Sequence, residues 1–338
     1  MSQGVRLAVV GATGAVGQEI LKILEQRKFP IRELIALADP REAGSVVRFK
    51  GEDIRVQAAD SSSFKGVDIA LFAVGNEVSL SLAPMAKAAN CLVVDNSYAF
   101  RLNDGVPLVV PEVNPEDIAL HQGLIANPNC STIIMAVAVY PLYRAAGIRR
   151  LVVSTYQAVS GAGINGLREL EQHSRDFLSG EEFKAEVFQH PIPFNLIPHI
   201  DNFVEENYTR EEMKMVWETR KIFHAPDLRI TATCVRVPVF RSHSESINIE
   251  TESPLSVEQA RQLFCQAPGL IVQDDPDQNL YPMPFYSSDQ DDVLVGRIRR
   301  DLSVDNGIAL WVVGDQIRKG AATNAIQIAE HVVSGGLY

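Results

Sequence analysis

Cysteine is scarce and unpaired: Cys91, Cys130, Cys234 and Cys265 lie far apart, with no Cys-x-x-Cys spacing. That excludes a disulfide framework and the usual structural zinc sites, so no metal is expected and a reducing compartment fits. Basic residues are outnumbered, 31 Lys and Arg against 42 Asp and Glu, giving a net charge of −11 with both signs interspersed. A nucleic-acid partner would want a basic face and finds none. A locally positive site for small anions is still compatible with this balance. Long apolar runs are also missing. Met-Ser-Gln-Gly-Val-Arg leads into a short run broken at Gly11, too short for a signal-peptide core or a membrane span. The expectation is a cytoplasmic chain with no membrane partner. Repeats and low-complexity segments are absent.

What is present is an ordinary globular balance, 46% hydrophobic and 22% charged over 338 residues, enough for two domains with sizeable cores. The first part alternates strand and helix. Leu7–Val10, Leu34–Ala38, Ile69–Ala73 and Leu92–Asp95 read as buried strands, with helices around Ile20–Leu24 and Val78–Ala89. Short apolar strands between helices predict a parallel sheet covered on both faces. Beyond residue 130 the pattern changes. Ser131–Ala146 is helical, Leu151–Gln157 is a strand, and helices follow near Gly166–Leu178 and Arg210–Phe223. Longer strands come next, at Thr231–Val237, Ser246–Thr251, Val293–Arg300 and Ile308–Val313. Ser256 and Gln259 have capping-box spacing. The fold class is therefore α/β: a Rossmann-type domain over 1–128, then an α+β domain with a mixed sheet over 129–318. The last helix, within 319–338, is expected to pack back on the first domain.

Gly11-Ala-Thr13-Gly14-Ala15-Val16-Gly17 stands between a predicted strand and a predicted helix. Three glycines in that context serve a tight turn, close approach to a pyrophosphate, and close helix–sheet packing, with the helix N-terminus attracting the phosphates. Dinucleotide binding is the reading preferred over plain turn chemistry. Asp39 follows the second strand, where a carboxylate can take the ribose 2′-hydroxyl of NAD. Arg41, two residues on, could instead hold the 2′-phosphate of NADP. The two signals conflict, and each could equally be a solvated loop charge. Short-chain reductases share the glycine pattern but need a tyrosine four residues before a lysine, and no tyrosine here has that spacing.

Asn127-Pro128-Asn129-Cys130-Ser131-Thr132 carries the most chemistry. Loop residues precede Cys130 and an apolar helix follows it, so the thiol sits at a helix N-terminus that favours thiolate and can stabilise an oxyanion. A lone cysteine is more often buried and inert, which is the reading for Cys91, Cys234 and Cys265. The polar turn around Cys130 sets it apart.

Taken together, the Gly11–Gly17 loop, Asp95-Asn-Ser-Tyr-Ala-Phe-Arg101, Pro111-Glu-Val-Asn114, Asn127–Thr132, Gln157 with Ser160-Gly-Ala-Gly163, and Arg236-Val-Pro-Val-Phe-Arg-Ser-His243 resemble the aspartate-semialdehyde dehydrogenase family, in its order and nearly end to end. The resemblance implies reversible reductive dephosphorylation of L-aspartyl 4-phosphate to L-aspartate 4-semialdehyde, in the synthesis of lysine, methionine and threonine. Cys130 would be the nucleophile and Gln157 would orient the reacting groups. His243 would move protons with a pKa near neutrality; without the resemblance it reads as a surface histidine. Arg236 would grip the substrate carboxylate, although strand alternation alone does not put it on the face of His243. Glu212 and Lys214 would contact the substrate amino group and the phosphate, with Arg101 as the second phosphate-binding cation and Asn129 also among the substrate-binding residues. Read alone, the charge-rich stretch Arg210–Arg220 is a solvated helix face. Cofactor contacts would come from Gly11, Thr13, Gly14, Ala15, Val16, Gly17, Asp39, Arg41, Ser160, Gly161 and Asn324. The cofactor implied is NADP, with NAD or dual use left open by Asp39. The resemblance also implies a homodimer, or a dimer of dimers, through the second domain. The rivals are a related acyl-phosphate reductase of the N-acetyl-glutamyl-phosphate type and a catalytically silent paralogue acting as a binding protein.

Overall fold

The structure, a computed structural model, describes residues 4–338; residues 1–3, the start of the Met-Ser-Gln-Gly-Val-Arg stretch, lie outside the described residues. The chain forms two compact units. One runs up to Asn129 and takes in Ala321–Tyr338, and the other is Cys130–Gly320.

The first unit contains β1 (Val5–Val10), α1 (Ala15–Gln26) and β2 (Ile31–Ala38). A hairpin of β3 (Val46–Phe49) and β4 (Glu52–Arg55) follows, then β5 (Gln57–Ala58), β6 (Ile69–Phe72), α2 (Asn76–Ala88), β7 (Leu92–Asp95) and β8 (Leu124–Ala126). Its six-stranded sheet has the order β5-β2-β1-β6-β7-β8, with every pairing parallel. β6 and β7 are buried at every position, as strands covered on both faces must be. One face packs against α1 and the C-terminal helix Thr323–Gly335, through Ile20, Leu24, Ala325, Ile326 and Ala329. The other packs against α2, through Leu82, Ala83 and Ala86. Strand order reverses between β1 and β6, the place where sheets of this type bind ligands at their carboxyl ends.

The second unit starts with α3 (Cys130–Ala146), β9 (Ile148–Gln157), α4 (Gly163–Ser179) and α5 (Arg210–Ile222). It continues with β10 (Arg229–Arg236), β11 (His243–Thr251), α6 (Val257–Gln266), β12 (Leu270–Val272), β13 (Val293–Arg300) and β14 (Gly307–Gly314). Its sheet has the order β10-β9-β11-β14-β13-β12. β10 runs parallel to β9, while β11 is antiparallel to both β9 and β14. One face is covered by helices: along β11, His243, Glu245, Ile247 and Ile249 are buried, while Ser246, Asn248 and Glu250 on the other face are half-buried. The capping box at Ser256 and Gln259 closes the start of α6 in both directions. Among the described residues no helix is long and apolar enough to cross a membrane.

Candidate active site

Two rows of side chains cross the helix-covered face of the second sheet. Arg236 on β10 is the register partner of Gln157 on β9. Ser244 on β11 pairs with Tyr156, so His243 stands one step on, beside Gln157, and its other neighbour is Gly314. The first row is therefore Arg236, Gln157, His243. The objection from strand alternation dissolves, because Arg236 and His243 occupy different strands on either side of β9. The chain between them arches over the end of β9, with Val237 N–H donating to Gln157 O (3.0 Å) and Val159 N–H to Val239 O (2.9 Å). One step deeper lies Cys234, Thr155, Glu245.

Cys130 is the first residue of α3 and is half-buried. A Cβ on Gly320 would stand 2.9 Å from the Cys130 Cβ, so only glycine lets that backbone lie against the thiol-bearing residue. The Arg236 guanidinium feels the charge of Cys130. Burial pulls it down from its ordinary range, while Glu211, Cys130 and Cys234 hold it up. A helix N-terminus and a buried guanidinium together favour thiolate at Cys130. By contrast, burial pushes the Cys91 thiol up to about 12. It also pushes Cys234 well above its ordinary range, with Glu211 adding to the shift.

His243 is fully buried. Its Nδ1 accepts a hydrogen bond from the Ala158 N–H (3.1 Å), which places the ring proton of the neutral form on Nε2. Among the described residues Nε2 has no hydrogen-bond partner. Burial, and then the charge of Arg236, hold the ring well below the usual histidine range. The fold thus buries a ring that, apart from the resemblance, read as a surface histidine. Arg236 is fixed by Nη1 donating to Ala158 O (2.7 Å), and a Cβ on Gly161 would meet that nitrogen at 2.8 Å.

The two adjacent acids of α5 are held differently. Glu212 is a helix cap: Oε2 accepts from Thr209 N–H (2.7 Å) and Oε1 from Cys234 N–H (3.0 Å). The carboxylate that reaches the first row is Glu211, whose Oε1 accepts from Gln157 Nε2 (3.3 Å) and whose Oε2 pairs with Lys214 (3.1 Å). The sequence held the clue, because Thr209-x-x-Glu212 has capping-box spacing, which turns Glu212 to the backbone and leaves Glu211 and Lys214 sharing a face. Lys214 also pairs with Asp201 at 2.8 Å. Burial works against its charge, but Glu211 and Asp201 outweigh that and push it up.

The first unit carries the glycine loop. Gly11 has φ +85°, and a Cβ there would stand 2.4 Å from Ala73 O; one on Gly17 would stand 2.0 Å from Gly11 O. Neither position takes a side chain. Gly14 and Ala15 are exposed at the mouth of α1, whose first turn has no acidic residue. Positive backbone N–H groups are thus presented at the β1/β6 reversal, and the loop fits a dinucleotide pyrophosphate. Val16 packs against the core, and Thr13 donates to Glu42 (2.9 Å). The conflicting pair Asp39 and Arg41 is bound to itself: Arg41 Nε and Nη2 donate to the two Asp39 oxygens at 2.8 and 3.1 Å. The Arg41 hydrogen bond holds the Asp39 carboxyl down to about 2. Asn324 is fully buried and donates to Val109 O (2.9 Å) and Asn127 Oδ1 (2.7 Å). Arg101 is buried and donates to Asn96 O (2.7 Å), and Asn129 is buried. In the second unit, Ser160 receives the side-chain amide of Gln316.

Two family models account for most of the chain: semialdehyde dehydrogenase, NAD binding domain, over residues 6–121, and semialdehyde dehydrogenase, dimerisation domain, over residues 139–319. An aspartate-semialdehyde dehydrogenase of Aquifex aeolicus is 53% identical over 99% of both chains. This chain belongs to the aspartate-semialdehyde dehydrogenase family. The crystal structure of aspartate semialdehyde dehydrogenase II from Vibrio cholerae complexed with ASA superimposes with a TM-score of 0.95 at 47% identity, covering 98% of this chain and 99% of that one. The enzyme of Candida albicans, solved with NADP, matches at a TM-score of 0.75 and 26% identity, covering 99% of this chain and all of the other. The first unit is the family's nicotinamide-dinucleotide domain, and the second includes its dimerisation domain.

Proposed function

We propose that the chain catalyses reversible NADPH-dependent reductive dephosphorylation of L-aspartyl 4-phosphate to L-aspartate 4-semialdehyde, on the route to lysine, methionine and threonine in the cytoplasm. The observation that carries this is the placing of Cys130 at the start of α3 with Arg236, whose row continues through Gln157 to the unpartnered Nε2 of a buried histidine. The Cys130 thiolate attacks the acyl carbon and phosphate departs, leaving a thioester and splitting one hard step into two. A dinucleotide held through its pyrophosphate by the Gly11–Gly17 loop would supply the hydride. His243 Nε2–H hydrogen-bonds the carbonyl oxygen as it gains charge, at attack and again at reduction. When the carbonyl re-forms the C–S bond breaks, the aldehyde leaves, and the thiolate returns without needing a proton; phosphate takes up the proton of the overall reaction.

Arg236 takes the substrate α-carboxylate, a bidentate task for a guanidinium. Glu211, rather than Glu212, takes the substrate ammonium, which also favours aspartyl phosphate over an N-acylated substrate. Lys214 and Arg101 are the phosphate-binding cations. A homodimer, or a dimer of such dimers, forms through the open face of the second sheet. Initial rates of phosphate-dependent NADPH formation from the semialdehyde test the whole reading. Cys130→Ala is expected to lose at least about 10³-fold, and retained turnover in that variant would overturn it.

A further inference from the structure

His243 is held from two sides. Its ring is fixed by the Ala158 N–H, and its backbone follows Ser242, a fully buried residue with φ +73°. A side-chain-bearing residue in the left-handed region is strained, and such strain persists only where the surroundings over-determine it. Here the determinant is Gln316, itself buried. Its Oε1 accepts the Ser242 N–H at 2.8 Å, and its Nε2 donates to Ser160 Oγ. One amide therefore ties the turn before His243 to the 158–161 segment that holds the imidazole.

Gln316 is itself presented by a turn folded around its neighbour. Asp315 is fully buried, and its Oδ1 accepts from the N–H groups of Ile317 (2.9 Å) and Arg318 (3.1 Å). Its Oδ2 accepts from Arg241 Nε (2.7 Å) and the Asp289 N–H (2.8 Å). Arg241 opens the same turn as Ser242, so both arms of the bracket reach the residues that launch β11. The Ser242 hydroxyl meets Ser288 Oγ at 3.1 Å, a third tether.

We propose that Gln316 is a positioning residue for His243, locking the strained Ser242 turn to the Ala158–Gly161 segment so that Nε2–H points at the reacting oxygen. The role rests on the reaction proposed above. Without the amide, the Ser242 N–H loses its acceptor and the turn relaxes toward ordinary φ, carrying the ring with it.

The test is Gln316→Leu, which keeps bulk and removes both hydrogen bonds, beside Gln316→Glu, which keeps the acceptor for Ser242 and accepts from the Ser160 hydroxyl. Gln316→Leu is expected to lower kcat about tenfold or more, with KM for semialdehyde and NADP moving less than about twofold. Gln316→Glu should recover most of the loss. Nitrogen-15 NMR should show His243 as a pure Nε2–H tautomer in the wild type and as a mixture in Gln316→Leu. That signature needs no turnover, so it separates failure of this role from failure of the reaction assignment. Wild-type kcat in Gln316→Leu, a loss confined to KM, or an unchanged tautomer signal would overturn the proposal. If Gln316→Leu does not fold, Ser160→Ala cuts the same bracket from its other end, and the His243 tautomer signal, read without NADP, decides.

Discussion

Glu245 shows how far one side chain can be pushed by its place in a sheet. It is fully buried one row behind His243, and among the described residues neither carboxyl oxygen has a partner. Burial raises it well above the carboxylate value of 4.5, because an unpaired buried charge costs far more than a neutral acid. The folded protein therefore binds a proton there that the unfolded chain releases. Below about pH 4.5 both states are protonated and Glu245 carries no penalty. Above it, stability is lost with rising pH by up to about 1.4 kcal/mol per unit, until the folded group itself titrates. His243 has the opposite sign, since a ring held below 6.5 when folded removes stability as pH falls through that value. Glu245→Gln should therefore gain on the wild type steadily from pH 5 to pH 8 in denaturant melts. Parallel curves across that range would show that Glu245 is ionised in the fold. A second residue-scale expectation concerns Asp39 and Arg41, exposed and paired with each other. A 2′-phosphate must compete with Asp39 for that guanidinium. Asp39→Ser should raise kcat/KM for NADP relative to NAD, and Arg41→Ala should lower that ratio. The paired initial rates check both directions.

At the scale of elements, α5 separates two adjacent acids. Its capping box satisfies the backbone through Thr209 and Glu212, whereas Glu211 meets Gln157 and Lys214. Glu212→Gln and Thr209→Ala should each cost about 0.5–2 kcal/mol of stability, with kcat/KM of the folded enzyme nearly unchanged. Glu211→Gln should instead cut kcat/KM for the semialdehyde about tenfold or more, with little change in melting temperature. An exchange of these phenotypes would return the substrate contact to Glu212. The same helix shows what the sequence could and could not reveal. Continuous apolar runs marked β1, β6 and β7, because strands buried on both faces need no alternation. The capping box of α6 is read from spacing alone, whereas that of α5, with the same spacing at Thr209 and Glu212, is passed over in favour of a substrate role for Glu212. The pairing of Arg236, Gln157 and His243 was not legible, because register across three strands is set by the arch 237–242, and no local pattern encodes which strand becomes whose neighbour. The pKa of His243 was illegible for the same reason: its polar flanks suggested a surface, and only the fold buries it. Gln316 gave no signal at all, being one glutamine after a strand until the turn around Asp315 aims it.

At the scale of the whole molecule, the second sheet poses a problem that a single chain leaves unsolved. Helices cover one face, while the other carries Val152, Tyr156 and Trp311 half-buried among Ser154, Ser246 and Asn248. The Tyr156 and Trp311 rings lie 5.4 Å apart. Beside Trp311 is a cavity of about 330 Å³ lined by Tyr281, Pro282, Met283 and Leu310. Large aromatic side chains partly open on a flat face are what a protein–protein interface core provides. The family's dimerisation domain spans this sheet, so a second copy of the chain is the occupant expected here. A symmetric partner would set the same face against itself, so one substitution acts twice across the interface. Val152→Asp changes a half-buried position on this face, where the cost to the monomer fold is small, but in a dimer it would bury two unpaired carboxylates. Sedimentation velocity at micromolar concentration should give twice the chain mass for the wild type. For Val152→Asp it should give the chain mass, with the melting transition of the monomer retained. A variant that sediments like the wild type at every concentration would move the dimer contact off this face.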